Sequence, residues 1–182
     1  MALMDIVQQH LGQSEVTQIS QQLGVSPSVA QTAIAAAIPM IMGGMARHAA
    51  QPQGAQSVQQ AITAHDGVTD DVGSVLQAGP PADVSGTSGG LLGRILGTHR
   101  DAVQQNVQQA SGLDAEKTKK LLMMLSPVVL GVLARHQFGG QTAQQANPGQ
   151  LSSVLHQEAQ SAAQQAPHVG GLLGKILGAA GA

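Results

Sequence analysis

A chain of 182 residues is long enough to bury a core without disulfide or metal support, and with no cysteine it has neither disulfides nor thiolate sites. Its 42% hydrophobic content is aliphatic, with one Phe (Phe138) and no Trp or Tyr. Because Ala, Leu, Met and Gln favour helices and strands favour β-branched and aromatic side chains, an all-α fold is expected. The 8 basic and 10 acidic residues leave a formal net charge of -2, with no basic stripe for a phosphate backbone and no aromatic platform for bases, so nucleic acid is not an expected partner.

At the start, Met1 to Asp5 place no basic region ahead of an apolar stretch, so no secretory leader is read and the cytoplasm is the expected location. Ser14 is placed to cap a helix running to Leu23, with Gly24 as its C-terminal stop. A second helix follows at once, with Ser26 as N-cap and Pro27 at the first helical position. Ile34, Ile38, Ile41, Met42 and Met45 recur along it at helical spacing. Pro39 lies inside this pattern, where it removes a backbone hydrogen bond and is expected to kink or break the helix. Gly43 and Gly44, a turn later, leave room for another backbone, and the helix ends on Arg47-His48. The apolar run Ile34–Ala46, like Leu121–Ala134 further on, is shorter than the roughly 20 residues that span a bilayer and reads as core.

Residues 65–71 (HDGVTDD) read as a loop and 77–90 (QAGPPADVSGTSGG) as a Gly/Pro/Ser-rich linker. The segment 89–97 (GGLLGRILG) follows. On a helical wheel Leu91, Leu92, Ile95 and Leu96 share one side and Arg94 points away. So short a helix is not stable alone in water and needs a surface: its own core, another copy of the chain, or a lipid interface.

Much of this recurs. Gly24–His48 lies over Gly112–His136 without gaps, each position 88 residues from its counterpart, with Gly, Pro, Gly, Ala, Arg and His identical at 24/112, 39/127, 43/131, 46/134, 47/135 and 48/136. Asp114 takes the capping place of Ser26, and Leu122, Val129, Leu130 and Leu133 repeat the apolar face. GAQSVQQA at 54–61 matches GGQTAQQA at 139–146, GSVLQ at 73–77 echoes SSVLH at 152–156, and GGLLGKILG at 170–178 repeats the amphipathic segment, with Leu172, Leu173, Ile176 and Leu177 on its apolar side and Lys175 opposite. The ordered recurrence points to an internal duplication with halves 1–98 and 99–182, a helical bundle of two pseudo-symmetric parts with proline-kinked core helices, forming one compact unit.

Few residues suggest chemistry. Gly86-Thr87-Ser88-Gly89-Gly90 matches a nucleophile-elbow spacing but follows a linker rather than a strand. Asp66, Asp70 and Asp71 lack the spacing and terminal Glu of a calcium loop, and the seven histidines offer no i, i+4 pair, so neither metal nor cofactor is expected. Arg47, His48, Arg135 and His136 are the charged positions that recur. Cations at a helix C-terminus are explained by the helix dipole, and the alternative is an anion or carboxylate site.

The proline-containing helix ending in Gly43-Gly44-Met45-Ala46-Arg47, preceded by GVSPSVAQTAIAAAIP, resembles the YidB-like family of bacterial domains of unknown function over most of the chain. The resemblance implies an all-helical fold and carries over no activity or binding residue. The expectation is a non-enzymatic structural or interaction protein that self-associates through helical surfaces into a homo-oligomer or polymer. The alternative is a peripheral membrane-surface protein using both GLLG[RK]ILG segments.

Overall fold

The computed structural model describes residues 6–7, 9, 11–65, 72–77, 90–138, 153–157 and 160–161, with side chains to Arg135 in the 90–138 stretch. Among the described residues the principal α-helices follow in the order α1 (Gln13–Leu23), α2 (Pro27–Ala49), α3 (Pro52–Ala64), α4 (Val72–Gln77), α5 (Gly90–Leu96), α6 (Arg100–Ser111) and α7 (Ala115–Phe138). A 3-10 turn, Gly97–His99, joins α5 to α6. Residues 6–7, 9, 153–157 and 160–161 are helical as well, and no described residue is in a strand.

The boundaries follow local chemistry. Gly24 and Gly112 close α1 and α6 in the left-handed region, at φ 64° and 71°, where glycine carries no side-chain penalty. Ser26 Oγ accepts from the Val29 N–H at 3.4 Å to start α2, and Asp114 Oδ1 accepts from the Lys117 N–H at 2.8 Å to start α7. Ser14 does not cap. Helix α1 begins two residues earlier than a Ser14 cap would place it, at Gln13 behind an extended Gly12, and the Ser14 hydroxyl donates instead to the Glu15 carboxylate at 2.7 Å.

Both interior prolines lie within unbroken helices: α2 runs its 23 residues through Pro39, and α7 its 24 through Pro127. The cost of a proline at such a site, about 3 kcal/mol, is offset by burial on every side. Residues 36–46 of α2 are all buried, as are 121–134 of α7 apart from half-buried Met123. A fully buried Leu, Ile or Met side chain contributes about 1.5–3 kcal/mol, so Ile38, Met40, Ile41 and Met42, each fully buried, outweigh one lost hydrogen bond.

Helix α2 is the centre of the molecule, contacted by α1, α3, α5, α6, α7 and the 3-10 turn. Its 23 residues exceed the apolar run that defines it in the sequence, and by length and composition it could cross a membrane. Within the protein 78% of its most apolar window is buried by the other helices, as in the core helix of a soluble protein. One core cluster extends from Val7 to Leu155 and includes residues of both sequence halves. Met40, Met42, Met45 and Met124 lie inside it, so the adaptable thioethers are packing material rather than an open surface. A short relay ties three helices together: Lys120 Nζ on α7 donates to the Gln22 carbonyl at 2.7 Å, and Gln22 Nε2 on α1 donates to the Leu76 carbonyl on α4 at 2.5 Å.

Candidate functional site

Two features that the sequence keeps apart meet at the C-terminal end of α2. The Arg47-His48 end of that helix packs against the tail of the first amphipathic segment. Gly97 adopts φ 53°, and a Cβ there would overlap His48 Nδ1 and lie 2.5 Å from its Cε1, so the imidazole rests directly on the glycine backbone. Gly54, near the start of α3, meets the backbone of the same residue: a Cβ at 54 would overlap the His48 carbonyl oxygen and stand 2.7 Å from the carbonyl carbon. A histidine clamped by two glycines is thereby fixed in place.

The electrostatics of this corner are one-sided. Burial lowers the His48 pKa below the ordinary histidine value, an effect larger than the opposing hydrogen bond to Arg94. His99 is also lowered, first by burial and then by the positive charges of Arg47 and His48. Arg47, His48, His99 and Arg100 are half-buried and Arg94 is exposed. Arg100 approaches Asp101 at 3.5 Å. Arg47 and His48 end α2 and His99 lies in the adjoining 3-10 turn; among the described residues no group of three or more His, Asp or Glu side chains could hold a metal ion.

The other predicted residues are distributed as follows. Leu91, Leu92, Ile95 and Leu96 are buried, at 8%, 3%, 0% and 0% exposure, and the Leu96 side chain packs over Gly44. The first amphipathic segment therefore spends its apolar face on the chain's own core. Arg135 is exposed near the end of α7. The His136 side chain, the second segment with Leu172, Leu173, Ile176 and Leu177, Asp66, Asp70 and Asp71, and residues 86–89 lie outside the described residues. A shallow groove beside the end of α2 is lined by Ala46, Ala50, Ser153, His156, Gln157 and Gln160. Sequence reasoning missed His99, Gly54 and Gly97. One signal pointed to Gly54, which lies two residues into a proline-started helix, where glycine costs about 1 kcal/mol relative to Ala and calls for a packing reason.

Among the described residues the fold is helical with an aliphatic core, and the end of its central helix carries one guanidinium, Arg47, beside imidazoles whose charged form is disfavoured. The chain belongs to the bacterial family of unknown function DUF937, which matches residues 5–136, and the YidB-like resemblance is consistent with it. No curated protein and no solved structure matches the chain.

Proposed function

We propose that this chain is a non-catalytic structural or interaction protein that self-associates, built by duplication of a helical unit into two pseudo-symmetric halves. The duplication is supported by α1–α2 and α6–α7, which share a left-handed glycine between their helices, an oxygen cap on the second helix and a buried proline inside it. Self-association is carried by one observation. The core of the first hairpin is closed by α5 and α6, which enter only after the Gly/Pro/Ser-rich stretch 77–90. Helices that reach their site across such a linker can close the same site on a second copy, giving dimers or open chains with no new contacts.

Light scattering on the full chain from low to high micromolar concentration tests this reading. The expected result is a mass that rises with concentration, and a strict monomer at the highest concentration overturns it. A lipid-surface role draws less support, because the apolar face of residues 90–96 is buried and such a role would depend on Leu172, Leu173, Ile176 and Leu177.

A further inference from the structure

We propose that the seat of α5 recognises GLLG[RK]ILG as a motif, and that residues 170–178 of a second copy take the place of residues 89–97 in it. The inference rests on the self-association reading and names the segment and the seat that link one copy to the next.

The demands of the seat are legible in its present occupant. Helix α5 lies against α2, α3 and α7. Leu91, Leu92, Ile95 and Leu96 are buried, and Leu96 fills the space that Gly44 leaves on α2. Both ends of the helix call for glycine. Gly90 and Gly97 stand in the left-handed region, at φ 52° and 53°, and a side chain at 97 would overlap the His48 ring. Position 94 makes no such demand, because Arg94 is exposed.

The chain meets that specification twice. Residues 170–178 repeat residues 89–97 at eight of nine positions. Leu172, Leu173, Ile176 and Leu177 supply the four apolar side chains, and Gly171 and Gly178 supply the two end glycines. The one difference, Lys175 for Arg94, falls at the exposed position. At every position that the seat buries or constrains the two segments are the same, so the seat has no means of telling them apart. Residues 90–97 hold it by proximity, since a tethered segment competes at an effective concentration on the order of millimolar. The second segment of another copy gains the seat when copies are concentrated or when α5 fits less well. Reciprocal exchange gives a pair, and one-way exchange an open chain.

The test titrates a fluorophore-labelled peptide of residues 169–180 with the full chain and reads anisotropy. Leu96→Ala weakens the resident occupant and leaves the seat itself unchanged, so this variant should bind the peptide saturably and about tenfold more tightly than the parent chain. Should Leu96→Ala lose helix content by circular dichroism, Gly97→Ala replaces it, since it unseats α5 through the overlap with His48. Lys175→Arg in the peptide should change affinity by less than about twofold. Leu177→Gln in the peptide should weaken binding about tenfold or more by burying an amide, and Gly178→Ala by a similar factor through its left-handed backbone. Absence of saturable binding, or a Gly178→Ala peptide that binds as tightly as the parent, overturns recognition of the motif. Light scattering on the full chain then separates this inference from the broader reading. Leu96→Ala should raise assembly and Leu177→Gln should abolish it. Assembly that Leu177→Gln leaves intact and Leu96→Ala weakens overturns the exchange of residues 170–178 and leaves exchange of α5 and α6 standing.

Discussion

Helix pairs α1–α2 and α6–α7 share the same junction, a left-handed glycine followed by an oxygen cap, and yet are used differently. Helix α6 packs extensively on α2, whereas α1 meets α7 through few residues. The close approach at one position marks the α2–α6 side. At residue 44 α2 has glycine, and Leu96 and Val103 come so close that a Cβ would lie 2.6 Å from Leu96 Cδ2 and 2.9 Å from Val103 Cγ2. The corresponding position in α7, 88 residues on, is Val132, which is buried but carries its own bulk. In sequence, the residue 88 positions before Val103 is Glu15 on α1, half-buried and hydrogen bonded by Ser14. The missing side chain at Gly44 is what lets Leu96 and Val103 approach α2 so closely.

Substitutions can break that contrast. The largest effect is expected at Gly54, where an added Cβ meets the backbone of His48 rather than a movable side-chain tip. Gly54→Ala should cost about 3 kcal/mol or more, the upper end for overpacking, and should lower the thermal midpoint measured by circular dichroism by about 6 °C or more. Next comes the seam itself. Gly44→Ala meets the ends of flexible side chains that can shift, so about 2 kcal/mol is expected. At Val132 the sign of the size change reverses: Val132→Ala should cost about 1–2 kcal/mol by leaving space rather than by filling it. Equal sensitivity of positions 44 and 132 to a change in the same direction would refute the asymmetric seam.

Where the two hairpins agree, their responses should agree. Gly24 and Gly112 both have positive φ, and a Cβ added at either would meet nothing within 4 Å, so only backbone strain separates glycine from alanine there. Gly24→Ala and Gly112→Ala should each cost about 1–2 kcal/mol, and urea midpoints that differ greatly between them would contradict their matched geometry.

The smallest effects are those of pH. His48 and His99 are lowered in the folded chain, so the unfolded chain binds more protons through the histidine range. Stability is then highest at neutral pH and above, and falls as pH drops below about 6.5, the ordinary histidine value. Arg47→Gln removes part of the repulsion on His99 and should flatten this fall, read as the difference in urea midpoint between neutral and mildly acid pH. Asp114 acts lower in the scale. Hydrogen bonds from Lys117 lower its pKa, so its contribution is present above the ordinary carboxylate value and is lost as pH falls through the folded one. The midpoint gap between wild type and Asp114→Asn should close on strong acidification.

Much of the fold was legible because its signals are local. Ser26-Pro27, Asp114, Gly24 and Gly112 mark helix ends through chemistry within three or four residues, and the periodic Ile, Leu and Met positions do face the core. Ser14 misled because a hydroxyl beside a carboxylate has a nearer partner than a backbone amide. The site was half legible. Arg47 and His48 stood out by recurring, but a residue that shapes their surroundings lies far along the chain: Gly97 arrives some fifty residues later and packs under the His48 ring. Periodicity cannot report which glycine lies under which ring. Nor could it foresee that Pro39 and Pro127 would sit in continuous helices, since burial by neighbouring helices offsets their local cost.

The central position of α2 also has a consequence in time. Its last residue, Ala49, leaves the ribosome roughly sixty residues before Ser111 completes α6, the helix that covers it most fully. At about 5–20 residues per second, an apolar helix of 23 residues stays without its main cover for about three to twelve seconds. During that interval α1, already made, and α3, which follows directly after α2, shield part of it. Early packing of α1 and α3 on α2 thus covers part of a helix that is, by length and composition, apolar enough to enter a membrane.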